Sequence, residues 1–232
     1  LPSTTPAPVF PTETVKTADL KDYSIVYPST YEDWQMTEVE LLRNVLEHIT
    51  GEQINVIPDT ETSSGKEIIF ASSNRKTALS EYVSAFESRL DYVIGVTDGN
   101  IVIGGQDYYG DMRAAYTFMN DYLGYDDLKD VYGTVPTEIS GVNKTTYYDP
   151  AFTMSVGAFY KHKVPDASKI KDMRDAHFNM IFIMALYKPY EVLNEDGTVN
   201  YEASCAGFRE LCLWCTRFDI RLVLPLEWID KD

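Results

Sequence analysis

The stretch from Asp91 to Gly124, DYVIGVTDGNIVIGGQDYYGDMRAAYTFMNDYLG, constrains the fold of this chain more than any other. Asp98-Gly99 stands between two β-branched runs, Tyr92–Val96 and Ile101–Ile103, and tolerates the positive φ angles that a tight hairpin turn needs. A Gly104-Gly105 break follows. From Asp111 to Leu123 the residues Met112, Ala115, Tyr116, Met119, Tyr122 and Leu123 recur three and four apart, which places them on one helical face, and Gly124 ends the run. The expected unit is a hairpin laid beneath a helix.

The flanking residues extend this unit into an α/β domain. Tyr23–Tyr27 reads as a strand closed by Pro28, with Ser29 or Thr30 as N-cap of a helix carrying Glu32 and Asp33 in its first turn. Trp34, Glu38, Leu41, Leu42, Val45, Leu46 and Ile49 form the stripe by which that helix covers a sheet, and Thr50-Gly51 ends it. Gln53–Ile57 and Glu67–Ala71 read as further strands, and Ser72–Ser88 as a loop with a short helix turning Tyr82, Val83 and Phe86 inward. Thr137–Pro150 reads as a connection or a pair of short edge strands.

The last portion changes character. Thr153–Phe159, Asn179–Leu186 and Arg221–Leu226 read as strands, the latter two nearly all apolar as in a parallel sheet buried on both faces. Asp166–His177 and Tyr201–Phe218 read as the helices between them, and strand, helix, strand, helix, strand is the unit of parallel barrels and doubly wound sheets. The fold class expected is α/β: a tether over 1–20, a small sandwich-like α/β domain over 21–148, and an incomplete parallel (β/α) barrel-like segment over 149–232.

Charge and composition narrow the partners. With 20 basic against 36 acidic residues the formal charge is −16, a surface that repels nucleic acid and anionic membranes. A neutral sugar is not repelled, and 17 tyrosines offer both stacking faces and hydroxyls, or simply amphipathic packing. No apolar run is long enough to cross a bilayer. Leu1–Glu13, LPSTTPAPVFPTE, reads as an extended tether left after removal of an export signal, so the expected location is secreted or tethered at a cell surface. Asn143-Lys-Thr145 satisfies the glycosylation sequon, a short motif that also arises by chance. Cys205, Cys212 and Cys215 share a helical face with Phe208; C-x-x-C spacing allows a redox pair or half a zinc site, whereas the common face and the lack of a second Cys or His pair favour buried apolar cysteine. No cofactor and no metal are expected.

These residues also carry a resemblance. The strand pair with its Gly-Gly exit, the aromatic-rich AAYTFMNDYLG helix and the His48-Ile49-Thr50-Gly51 helix exit resemble, over about Tyr23 to Gly124, the small α/β domain that precedes the barrel in glycoside hydrolases of the β-N-acetylhexosaminidase and α-glucuronidase type. The later portion is similar to the start of the hexosaminidase-type barrel: Ala176-His-Phe178-Asn179 resembles a G-F-N before an early strand, and Trp214 to Ile220 feeds RLVLPLEWID as a helix exit feeds a strand ending in a Pro-acidic cluster. Leu226 separates Pro225 from Glu227, where the family has the two adjacent.

In a barrel the chemistry sits at the carboxyl ends of the strands. The residues so placed here are Tyr160, Lys161 and His162, then Tyr187 and Lys188, then Glu227, Trp228 and Asp230. Glu227, Trp228, Tyr187 and Lys188 are the candidate substrate-binding residues, Glu227 to accept sugar hydroxyls and Trp228 to stack on a pyranose; the plain alternative is a loop carboxylate beside a packed indole. Glycoside hydrolysis usually takes two carboxyl groups ~5–9 Å apart. The resemblance puts that pair after later strands, so no catalytic residue is assigned and the chain alone is expected to be inactive. Three uncovered parallel strands also imply self-association through residues such as Met180, Phe182 and Leu224. Two readings stand: part of a secreted carbohydrate-active hydrolase, or a non-catalytic surface module that binds glycan or protein. A standalone α/β enzyme of another kind finds no P-loop, G-x-G-x-x-G, G-x-S-x-G or metal-spaced His cluster in its favour.

Overall fold

The hairpin predicted at Asp98-Gly99 lies inside a six-stranded mixed sheet. In this computed structural model the described residues are 10, 12–62, 65–87, 91–127, 130–145, 156–159, 166–175, 178, 180–183, 192–218 and 220–223. The chain divides into two compact units, Leu1–Tyr148 and Asp149–Asp232.

The first unit runs β1 (Thr14–Lys16), β2 (Tyr23–Tyr27), α1 (Met36–Thr50), β3 (Val56–Pro58), β4 (Lys66–Phe70), α2 (Ser80–Ser84), β5 (Tyr92–Thr97), β6 (Asn100–Gly104), α3 (Tyr108–Thr117), β7 (Tyr125–Asp126), β8 (Val131–Tyr132), β9 (Glu138–Ser140) and β10 (Val142–Thr145). Its main sheet has the order β10-β5-β6-β4-β2-β3. β3, β2, β4 and β6 are parallel, while β5 pairs antiparallel with both β6 and β10. Asp98 and Gly99 at φ 52° and 73° make the two-residue turn whose twist matches that of its strands.

Alternation along the strands splits the core in two. Ile25, Ile68, Phe70, Ile94, Ile101 and Ile103 meet Val39, Leu42, Val45 and Leu46 of α1 and Ala114, Ala115 and Phe118 on and after α3. On the opposite face Val93 and Val102 meet Leu79, Val83 and Phe86 around α2. Adjacent strands therefore send their connections to opposite faces: β2 and β6 lead to α1 and α3 on one, β4 leads to α2 on the other.

Three expectations change here. The first helix starts at Met36, not beside Ser29 or Thr30, because residues 32–35 close a separate turn in which Glu32 N donates to Gln35 Oε1 (2.9 Å) and Gln35 N to Glu32 O (2.8 Å). Trp34 consequently leaves the buried stripe and is 45% exposed. The tether expected over 1–20 gives way at Thr14, where β1 pairs with β9; Val15 is buried on the inner side of that strand and Leu20 in the 3-10 turn, Thr17–Asp22, that follows it. The helix expected from Asp111 begins at Tyr108, since Asp107 caps it by accepting from Tyr109 N at 2.9 Å.

The second unit holds β11 (Val156–Phe159), α4 (Ala167–Asp175), β12 (Met180–Ile183), the short hairpin β13 (Val192–Leu193) and β14 (Val199–Asn200), α5 (Tyr201–Arg217) and β15 (Arg221–Val223). β11, β12 and β15 form a parallel sheet in sequential order, with α4 in the first crossover and α5 in the second. Ile170, Met173, Ile181, Leu211, Trp214, Cys215, Phe218 and Ile220 are buried, and the Arg217 guanidinium lies 4.6 Å from the Trp214 ring. Among the described residues no helix is long and apolar enough to cross a membrane, and no His, Cys, Asp and Glu group could hold a metal.

Cys212 and Cys215 are free thiols on one helical face, half-buried and buried. Burial, with Cys212 as its neighbour, pushes the Cys215 thiol up to about 12, which suits an apolar packing role and not a reactive thiolate. Alkylation of the native protein at pH 8 should leave Cys215 largely unmodified until denaturant is added, as peptide mapping would show; rapid labelling in the native state would remove the packing role. The Cys205 and Phe208 side chains lie outside the described residues.

Candidate functional site

In an open α/β sheet, a crevice opens beyond the carboxyl ends of neighbouring parallel strands whose connections leave to opposite faces. β2, β4 and β6 meet that condition, and a cleft of about 350 Å³ lies there. Thr30, Tyr31, Trp34 and Gln35 enter it from the segment after β2, Ser72 from that after β4, and Gln106, Asp107, Tyr108 and Tyr109 from that after β6.

Two carboxylates hold these segments in place. Asp111 is fully buried on α3; its Oδ1 accepts from Gly105 N (2.9 Å) and Ser72 N (3.4 Å), and its Oδ2 from the hydroxyls of Tyr31 (2.6 Å) and Ser72. One side chain thus joins the segments that follow all three strands. Burial pushes its carboxyl up to about 7, against the hydrogen bonds from Ser72, Tyr31 and Gly105, which favour the charged form. Burial and the adjacent Asp111 in turn drive the Tyr31 phenol strongly upward, so it remains a donor. Asp59, just after β3, performs the same task at the neighbouring edge, accepting from Ser29 N (3.0 Å) and Asn74 N (2.8 Å). Its burial acts upward, but the bonds from Asn74 and Ser29 and the nearby Arg75 charge outweigh it and hold the carboxyl below its ordinary value.

The cleft wall is aromatic. The Tyr108 ring stands nearly perpendicular to Trp34 (centroids 5.0 Å, 74°) and to Tyr31 (5.5 Å, 85°). Trp34 Nε1 donates to Glu32 Oε2 at 2.7 Å, which fixes the indole while leaving it 45% exposed. Gln106 is anchored through Nε2 to the carbonyls of Ser84 (3.1 Å) and Phe86 (3.0 Å). Among the described residues no lysine, arginine or histidine lines the cleft, and Asp107 is the one carboxylate in its lining.

Tyr187, Lys188, Glu227 and Trp228 lie outside the described residues, as do Tyr160, Lys161, His162 and Asp230. Of the strand residues expected to be uncovered, Met180 is half-buried, and Phe182 and Leu224 have no described side chains. The cleft residues Tyr31, Trp34, Gln106 and Tyr108 went unremarked as a site because their grouping depends on β2, β4 and β6 being parallel neighbours. Local punctuation was present, Pro28 after one strand and Gly104-Gly105 after another, but it marks strand ends without saying which ends meet.

No protein-family model matches this sequence, and no curated protein matches it. Among solved structures the chain is similar to CpGH84B, at a TM-score of 0.45 and 18% identity, covering 94% of this chain and 35% of that one. It is also similar to CpGH84D, at a TM-score of 0.46 and 15% identity, covering 88% of this chain and 34% of that one. A mutant Streptomyces plicatus β-hexosaminidase in complex with its product GlcNAc is similar at a TM-score of 0.48 and 11% identity, covering 92% of this chain and 42% of that one. The chain therefore spans between about a third and two-fifths of the length of these structures.

Proposed function

We propose that this chain is the N-terminal portion of a secreted or surface-tethered, carbohydrate-active protein of the glycoside hydrolase type. In this reading the first unit is an accessory α/β domain and the second begins a (β/α)8 barrel. The observation that carries it is the order of the second unit's sheet. β11, β12 and β15 are parallel, neighbour one another in sequence order and are joined through α4 and α5, which is how such a barrel starts. A doubly wound sheet usually reverses its strand order. The sequence resemblance around Phe178-Asn179 and RLVLPLEWID supports the same reading.

The acid pair of a hydrolase would then come from later barrel strands, and the 232 residues alone would not cleave a glycoside. Expression from the natural gene should yield a mass well above 26.4 kDa and turnover of an aryl glycoside of N-acetylhexosamine, glucuronic acid or a common hexose, with none from the 232-residue chain. A natural product of 26.4 kDa that releases no aglycone would sink the hydrolase reading. The second reading, a non-catalytic glycan-binding module, is favoured by the aromatic cleft of the first unit.

A further inference from the structure

We infer that the cleft beyond β2, β4 and β6 is a binding site for a neutral sugar residue. The place of the site follows from its geometry, and its ligand class rests on the carbohydrate reading above. Three observations lead to it.

The first is the indole. An exposed tryptophan free to change rotamer would lose entropy on binding, but Trp34 is already held by its bond to Glu32 and by the perpendicular Tyr108 ring. It offers a fixed apolar plate beside a polar floor. The second is the lining. Thr30, Gln35, Gln106 and Asp107 supply hydroxyl, amide and carboxylate groups next to that plate. A ring with one apolar face and a rim of hydroxyls matches both the plate and the polar groups, of which internal bonds to Glu32 N, Tyr109 N and the Ser84 and Phe86 carbonyls hold Gln35, Asp107 and Gln106 in place.

The third is charge. Among the described residues no cation lines the cleft, Asp107 is within it, and the chain carries −16 overall. The net charge and Asp107 disfavour a phosphate or uronate, so the ligand is an uncharged sugar. The floor is also preformed: the Asp111 and Asp59 bonds fix the surrounding segments before any ligand arrives.

The test titrates chitotriose, cellotriose and a glucuronic-acid disaccharide into the 232-residue chain, read by calorimetry and tryptophan emission, and repeats this with Trp34→Ala and Trp34→Phe. Both variants should keep the circular dichroism of the parent, since the side chain is exposed. The expected result is that a neutral trisaccharide binds, that the uronate binds least, that Trp34→Ala weakens binding about tenfold, and that Trp34→Phe retains most of it. Neutral glycan binding that Trp34→Ala leaves unchanged would overturn the cleft while sparing the carbohydrate reading. Failure of the unaltered chain to bind either neutral trisaccharide would overturn the inference as well. Turnover by the longer natural protein, measured separately, decides the hydrolase reading whichever way the cleft result falls.

Discussion

Replacing Asp111 by alanine lowers the stability of the first unit by about 3 kcal/mol and its thermal midpoint by roughly 10 °C. The size follows from what is left behind. Gly105 N–H is buried and loses its acceptor, while Ser72 N–H, the Ser72 hydroxyl and the Tyr31 hydroxyl lose theirs at the cleft floor. Water from the cleft can reach the last three in part, which keeps the cost below the sum of four full desolvation penalties. Calorimetric melting would measure it. A loss under about 1 kcal/mol would show that the three segments are held by their own packing and not by this carboxylate.

The asparagine variant separates shape from charge. Oδ1 of Asp111 faces two backbone N–H donors and can only accept, but Oδ2 faces two hydroxyls that can turn to accept instead. A proton on the carboxyl therefore sits on Oδ2, and an asparagine with its amide nitrogen there copies the protonated form. Because the native carboxyl titrates near 7 and the unfolded one near 3.8, the folded state holds a proton that the unfolded state releases between those values. The stabilising contribution of protonation is complete below about 4, falls as pH rises through 7, and is lost above it. Asp111→Asn should cost about 1 kcal/mol or less and flatten that decline between pH 5 and 7. Asp59, whose carboxyl is held low, acts in the opposite sense and at lower pH, where protonation weakens its hold on Ser29 and Asn74.

Which features were legible in the sequence follows from the range of the interactions that set them. The hairpin at Asp98-Gly99, the buried stripe of α1 through Glu38, Leu42, Val45 and Leu46 and the inward side of α2 depend on residues a few positions apart, and periodicity reports them, though it passed over Val39. The α/β class follows from the same local patterns. Helix starts were less legible: Ser29 has the chemistry of a cap, yet its backbone N–H is engaged by Asp59, thirty residues on, and α1 begins seven residues later. Asp111 illustrates the limit. In the sequence it is one of 36 acidic residues on the polar side of an amphipathic helix, and nothing local marks it as fully buried. Only the side-by-side placement of β2, β4 and β6 brings Tyr31, Ser72 and Gly105 to it. The same placement makes Trp34 a cleft residue when helical spacing alone assigned it to the core.

Gly104→Ala should be at least as damaging as loss of Asp111, and partly for the same reason. Gly104 has φ 134°, a conformation that L side chains rarely adopt, and a Cβ there would lie 1.8 Å from Asp111 Oδ1 and 2.9 Å from Ala71 N. The backbone cannot yield without breaking the Ala71 N to Ile103 O bond (2.9 Å) between β4 and β6. The carboxylate cannot yield without giving up Gly105 and Ser72. A cost of about 4 kcal/mol is expected, combining backbone strain with the forced displacement of Asp111. The two parts separate in a double-mutant cycle. If the methyl group acts mainly by expelling the carboxylate, Gly104→Ala in an Asp111→Ala background costs less than it does alone, and the coupling exceeds about 1 kcal/mol. Simple additivity would assign the whole cost to the φ angle and the Ala71 contact, and would mean that the glycine shapes the strand end independently of the carboxylate that ties it to its neighbours.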